Sequence, residues 1–305
     1  MQVLLSPKCK IIKNMKDYKR TDIAFEKIKE KVIRAFKRGA EISDISVSEK
    51  EAEKSGVSAG RYISVSDDSV LNGEKSKYIG IAERLSECIR EVLPKMDGRS
   101  QAEYLVAGLG NPKLTADSLG SLVVERVIVT RHLENSKKVF GNKLSRVATV
   151  SPGVLGVTGI ESFDIIKGTL ERTGIKCLIV VDSLAAAEFG RLATVFQVSN
   201  AGLTPGSGVG NKRFELSQKT LGIEVVTIGV PLVVYASTIT AGLIDRLEPK
   251  CRVQLHEAVT DKLLNHIVTP KDIDLIVSEC ADIVAMALNM ALHKGLSLEE
   301  IATLS

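Results

Sequence analysis

Two short stretches, residues 105–109 (LVAGL) and 177–181 (CLIVV), carry no polar side chain at all. A strand without a polar face must be covered on both sides, and that is the property of a parallel sheet sandwiched between helices. The first stretch runs into Gly108 and Gly110, after which residues 117–133 read as a helix. Strand, glycine turn and helix together form the opening of a βαβ unit. Each stretch also leads to one aspartate, Asp117 or Asp182, at or just past the exit of its strand.

The same alternation continues along the chain. Helical spacing predicts helices over residues 79–93, which Pro94 ends, and over 162–173, 231–247 and 272–293. Strands are predicted at 61–65, 192–198 and 225–229. Residues 1–22 are lysine-rich and read as an arm. Ile28, Val32, Ile33 and Phe36 fall on one helical face, and the acidic, serine-rich residues 41–58 read as a mobile insertion. The expectation is a three-layer αβα domain with a mostly parallel sheet, spanning residues 23–305, with residues 1–22 as a propeptide-like arm.

Composition narrows the function. Hydrophobic residues make up 44% of the 305, aromatics only 4%, and tryptophan is absent, so the core is aliphatic. A net charge of +4, with dispersed lysines and arginines and no interleaved aromatics, argues against nucleic-acid binding. The five cysteines form no CxxC pair, as in a reducing cytosol. An export signal and a membrane span are not expected, because the apolar runs are interrupted by residues such as Asp182 and Thr227.

In open α/β sheets ligands gather beyond the carboxyl ends of the strands, where Asp117 and Asp182 are expected. An equally simple reading has each aspartate cap a helix, one starting at Ser118 and one at Ser183. Nucleotide motifs fail: Lys113 breaks GxGxxG, and in residues 206–213 (GSGVGNKR) Asn211 precedes the lysine and Arg213 follows it. No histidine lies between residues 133 and 255, which disfavours a metal centre, and no GxSxG elbow is present. Carboxylate catalysis remains, with one carboxyl neutral as acid and its partner ionised to activate water. Like charges held close together share a proton readily.

At the level of whole blocks the chain resembles the germination protease family of spore-forming bacteria. The resemblance is carried by residues 20–24 (RTDIA), 60–63 (GRYI), 105–120, 151–156 (SPGVLG), 178–186, 205–213 (PGSGVGNKR), 228–231 and 268–271. It implies an atypical aspartic endopeptidase, similar in fold to hydrogenase maturation proteases, that begins degradation of small acid-soluble spore proteins during germination. It further implies a cytoplasmic, forespore or spore-core enzyme made as a zymogen and assembled as a homotetramer, with no cofactor, no metal and no membrane partner. The family's two essential aspartates fall on Asp117 and Asp182.

Residues 21–26 (TDIAFE) resemble the family's cleavage motif, which implies self-cleavage between Asp22 and Ile23, triggered by mild acid. Gly110, Asn111, Ser207, Gly208, Asn211, Lys212 and Arg213 are the expected oxyanion or substrate-positioning residues. The chain departs from the family at Leu232 and Tyr235, where a threonine and an acidic residue are usual, and at Val157, where glutamine is common. Two alternatives stand beside this reading: a peptidyl-tRNA hydrolase, whose sequences share the GLGNP of residues 108–112, and a non-catalytic, degenerate member.

Overall fold

The structure is a computed structural model and describes residues 20–28, 33–37, 40–95, 102–133, 144–204, 214–244, 263 and 266–304. Along the chain lie α1 (Ala24–Lys27), β1 (Ile33–Lys37), β2 (Ala40–Val47), α2 (Glu49–Ser55), β3 (Gly60–Ser66), α3 (Tyr78–Val92) and β4 (Glu103–Gly108). There follow α4 (Leu119–Arg126), β5 (Arg146–Val150), α5 (Leu155–Thr158), α6 (Ser162–Thr173), β6 (Cys177–Ala186) and β7 (Val195–Ser199). The described chain ends with α7 (Gln218–Leu221), β8 (Glu224–Tyr235), α8 (Ala236–Ile244), β9 (Ile267–Val268), α9 (Ile273–Leu292) and α10 (Leu298–Leu304).

All the strands join one sheet in the order β1-β2-β3-β7-β8-β6-β4-β5, with β9 added to β8. The half made of β8, β6, β4 and β5 is parallel throughout, and this is the sheet predicted from the two apolar stretches. Beyond β8 the sheet continues antiparallel through β7, β3, β2 and β1.

Alternate residues of the apolar strands face opposite layers. Val106, Ile179 and Val181 point to a core shared with α3, α4 and α9, whereas Leu105, Ala107, Leu178 and Val180 point to one shared with α6. A third cluster on the antiparallel half gathers Ile23, Ala24 and Phe25, just after the arm, against Ile45, Val47, Tyr62 and Val195. The helix α9 is long and apolar enough to cross a membrane by length and composition, yet most of it is buried in this fold. Its Cys280, Ile283, Val284, Ala287 and Leu288 are core residues.

Four expectations change. Residues 33–37 form the edge strand β1, antiparallel to β2, and not part of a helix. Their β-branched and aromatic members suit a pleated surface as well as a helix face, and pairing decides. Residues 41–58, expected as a mobile insertion, supply β2 and α2; β2 pairs on both edges, and Ser48 with Glu51 closes a capping box at the start of α2. The helix expected over 117–133 starts at Leu119 and ends at Arg126. The helix expected over 231–247 starts at Ala236, because β8 runs on through Pro231 to Tyr235.

A proline inside a strand is tolerated where the ladder is irregular, and here the β6/β8 register shifts between Leu184 and Ala185, opposite Pro231 and Val233.

Candidate active site

The site is built where β6 outruns β4. The β4/β6 pairing stops at Gly108 and Val181, and the N–H of Leu109 then donates to the Val181 carbonyl at 2.8 Å, tying the turn to the neighbouring strand tip. Three glycines let backbone cross backbone here. A Cβ on Gly108 would lie 2.0 Å from the Gly120 carbonyl oxygen, and one on Gly120 would lie 2.3 Å from that of Leu109 and 2.6 Å from that of Val181. Gly110 has φ +102°, and its Cβ would lie 1.9 Å from the main-chain oxygen of Asp117 and 3.0 Å from Oδ1.

Asp117 closes the 3-10 turn Thr115–Asp117, and its Oδ2 accepts the N–H of Asn111 at 2.9 Å. It does not cap α4, whose N-cap is Ser118. Asp182 lies within β6, opposite Gly229 of β8, and its Oδ1 accepts the N–H of Ser183 at 2.9 Å. No helix starts at Ser183, so the capping reading fails for Asp182 too. The apparent helix signal in residues 183–187 is overridden by pairing of Ala185 and Ala186 with Val233 and Val234.

Asp117 and Asp182 line one cavity of about 410 Å³, together with Gly110, Asn111, Asp22 and Tyr235. Ser183 also lines it, and the Ser183 hydroxyl is buried without a hydrogen-bond partner among the described residues. Tyr235 is buried, and its phenol is pushed up first by burial and then by the charge of Asp22, with a smaller contribution from Asp117. The Arg20 guanidinium works against that shift and sits 5.1 Å from the ring centroid.

The end of the arm packs into the same place. The N–H of Asp22 donates to the Ala185 carbonyl at 2.9 Å, and the N–H of Ala185 donates to Asp22 Oδ2 at 2.9 Å. Gln197 of β7 brackets the next bond: its Nε2 donates to the Asp22 carbonyl at 3.2 Å and its Oε1 accepts the N–H of Ala24 at 2.9 Å. Glu26 Oε2 accepts the N–H of Ala187 at 2.8 Å and also takes the Thr21 hydroxyl. Burial pushes the Glu26 carboxyl above its usual range despite these donors, and its Oε1 is buried without a partner among the described residues.

Of the residues expected from sequence, Asp22, Gly110, Asn111, Asp117 and Asp182 come together around one cavity. Ile23 is fully buried just behind them. Ser207, Gly208, Asn211, Lys212 and Arg213 lie outside the described residues. The Asn111 N–H is already spent on Asp117, so what the structure gives it is the holding of that carboxylate. Gln197 and Ser183 carry no signal in the sequence: nothing marks a glutamine in an apolar strand as functional until another segment lies over it. Among the described residues no three His, Cys, Asp or Glu side chains form a group able to hold a metal ion.

A cleft beside parallel strands, one carboxylate from the turn after β4 and one from within β6, fits a hydrolase, and the class is set by the family: a protein that hydrolyses peptide bonds. The comparisons with known proteins agree. The chain belongs to the germination protease family, whose model matches residues 10–251.

It is 33% identical to the germination protease of Caldanaerobacter subterraneus subsp. tengcongensis over 288 residues, covering 86% of this chain and 88% of that one. Against the Clostridium acetobutylicum germination protease the identity is 33%, with 86% and 87% covered, and against that of Bacillus subtilis 31%, with 86% and 85% covered. Among solved structures it is similar to a [NiFe] hydrogenase maturation protease, HycI from Thermococcus kodakarensis, at 15% identity and a TM-score of 0.35, covering 62% of this chain and 94% of the other. The family match displaces the peptidyl-tRNA hydrolase alternative.

Proposed function

We propose that this chain is a self-processing aspartic endopeptidase in which Asp117 and Asp182 activate water, and that the first bond it cuts is its own, between Asp22 and Ile23. The observation that carries the reading is that Asp117, Asp182 and Asp22 line a single cavity. Two carboxylates facing one water divide the work: the ionised one takes the proton of the attacking water, and the neutral one protonates the leaving nitrogen. One main-chain N–H holds each of them, from Asn111 and from Ser183, which fixes their orientation before substrate arrives.

The segment from Thr21 to Glu26 then serves as the first substrate, and later substrates are segments of the same pattern, with an acidic residue before the cut. Small acid-soluble spore proteins, cleaved in the spore core during germination, are the substrates this reading assigns, and a homotetramer is the assembly. Ser207, Gly208, Asn211, Lys212 and Arg213 are assigned to shaping the cleft, beside Leu203 and Thr204, which line the cavity. The mechanism as assigned uses no cofactor. Tyr235 supplies a protonated phenol at the position where an acidic residue is usual in the family.

The test is N-terminal sequencing. Full-length protein held at about pH 5.5 is expected to yield a new chain starting at Ile23. Asp117→Asn and Asp182→Asn are expected to stay folded and uncut. A wild-type chain that keeps its original N-terminus under these conditions rejects the reading.

A further inference from the structure

We propose that Gln197 is a further catalytic residue of the self-cleavage reaction, donating from its side-chain amide to the Asp22 carbonyl oxygen as that oxygen becomes an oxyanion. The inference rests on the self-cleavage reading above. The contact is direct: Nε2 lies 3.2 Å from the carbonyl oxygen of the bond to be cut. The orientation of the amide is fixed by its other end, because the Ala24 N–H can only donate, so the atom facing it at 2.9 Å must be Oε1. Gln197 is buried, and both ends of its amide are taken up by the arm.

The surroundings place the two halves of the chemistry on two sides of one residue. Asp22 lines the cavity of about 410 Å³ that holds Asp117 and Asp182, and it also lines a second cavity, of about 540 Å³, that holds Gln197. In the sheet Gln197 stands opposite Gly229, which stands opposite Asp182, so the three occupy one row across β7, β8 and β6. The middle position has no side chain, and Leu184 fills the space, its Cγ 2.5 Å from where a Cβ of Gly229 would be. Of the main-chain amides expected to serve the oxyanion, that of Asn111 is committed to Asp117.

Hydrolysis then runs with its atoms balanced. The oxygen of water bonds to the Asp22 carbonyl carbon, its proton goes to the ionised carboxylate, and the negative charge collects on the carbonyl oxygen facing Gln197. The tetrahedral centre collapses, the bond to the Ile23 nitrogen breaks, and the neutral carboxyl protonates that nitrogen. The products are the new main-chain carboxylic acid of Asp22 and the Ile23 amine, and the acid then passes its remaining proton to that amine, while the two aspartates end with their protonation exchanged. Side-chain amides are known oxyanion donors, and loss of one donor typically costs about 10²–10³-fold in rate.

The experiment times the appearance of the Ile23 N-terminus in the full chain for wild type, Asp117→Asn, Gln197→Met and Gln197→Glu. Gln197→Met fills the volume without a donor, and its rate is expected to fall about 10²-fold or more; it also removes the acceptor of the buried Ala24 N–H, so a lower melting temperature accompanies the loss. Gln197→Glu is isosteric and regains a donor only when protonated, so its rate is expected to recover towards acid relative to wild type, a pH profile that a packing role does not produce. Processing of Gln197→Met at the wild-type rate or faster overturns the proposal and makes Gln197 a strut. Absence of cleavage in wild type sinks the self-cleavage reading itself, and this proposal with it.

If both variants fail to fold, hydrogen exchange in uncut Asp117→Asn protein decides instead. One Gln197 Nε2 proton protected from exchange supports the contact, and exchange of both at the solvent rate overturns it.

Discussion

Gly110 fixes where the Asp117 carboxylate stands, and it does so by having no side chain. Its φ of +102° is costly for any other residue, and a Cβ would press on Asp117 itself, at 1.9 Å from the main-chain oxygen. Gly229 is a useful contrast, because a Cβ there meets the flexible end of Leu184 and not backbone. Gly110→Ala is therefore expected to cost about 1–3 kcal/mol in stability and, because a misplacement near 1 Å costs about 10²-fold in rate, to lower processing by at least that factor. Gly229→Ala is expected to fold with a smaller loss, since Leu184 can turn aside. Melting curves and timed N-terminal sequencing of the two variants check the contrast, and equal losses of activity would mean that the Asp117 turn is not what Gly110 protects.

At the scale of elements, the site exists because β6 and β8 continue past the point where β4 stops. The apolar strands and the helices α3, α6 and α9 were legible in the sequence, because an all-apolar run and a sustained 3.6-residue period each admit few structures, whereas spacing alone left Asp117 and Asp182 equally readable as helix caps. The extensions were not. Residues 183–187 (SLAAA) have high helix propensity and Pro231 reads as a breaker, yet cross-strand pairing of Ala185 and Ala186 outweighs the first, and the register shift accommodates the second. β1 departs from expectation because Ile28, Val32, Ile33 and Phe36 fit a helical face, and the clustering of Gln197 with Asp22 and Ala24 could not be seen across separations of 175 and 173 residues.

The antiparallel half is held to α3 by a buried ion pair, Arg84 Nη2 to Asp67 Oδ2 at 3.0 Å, with Asp67 just beyond the end of β3. Removing one partner of such a pair strands the other charge, so Arg84→Met is expected to cost about 3–5 kcal/mol. The double variant Arg84→Met, Asp67→Leu is expected to recover much of that loss. Denaturant midpoints of the two proteins test this, and a single variant as stable as wild type would show that the pair holds nothing.

Across the whole molecule, acid acts on two buried groups in opposite directions. His293 follows α9, is fully buried, and reaches the Ile128 carbonyl through Nε2 at 3.2 Å. Burial holds its pKa below the ordinary 6.5. The unfolded chain then binds the proton first, so this contribution to stability is present above about pH 6.5 and is lost as the pH falls towards the lowered folded-state value. Glu26 has the opposite sign. Its carboxyl is raised above 4.5 by burial, so the docked arm takes up the proton before the undocked arm does. Docking is favoured below about pH 4.5 and weakens as the pH rises through the raised value.

From these two directions, mild acid is expected to weaken the packing of α9 and to favour docking of residues 21–26. The self-processing on acidification proposed above needs that second effect. His293→Gln is expected to flatten the acid limb of melting temperature against pH, and Glu26→Gln, which mimics the protonated form, is expected to keep the arm docked as the pH rises. The measurements are melting curves between about pH 5 and 7.5 and hydrogen exchange at the amides of Asp22 and Ala24. Exchange at Ala24 that ignores pH equally in wild type and Glu26→Gln would remove Glu26 from the account of how acid engages the arm.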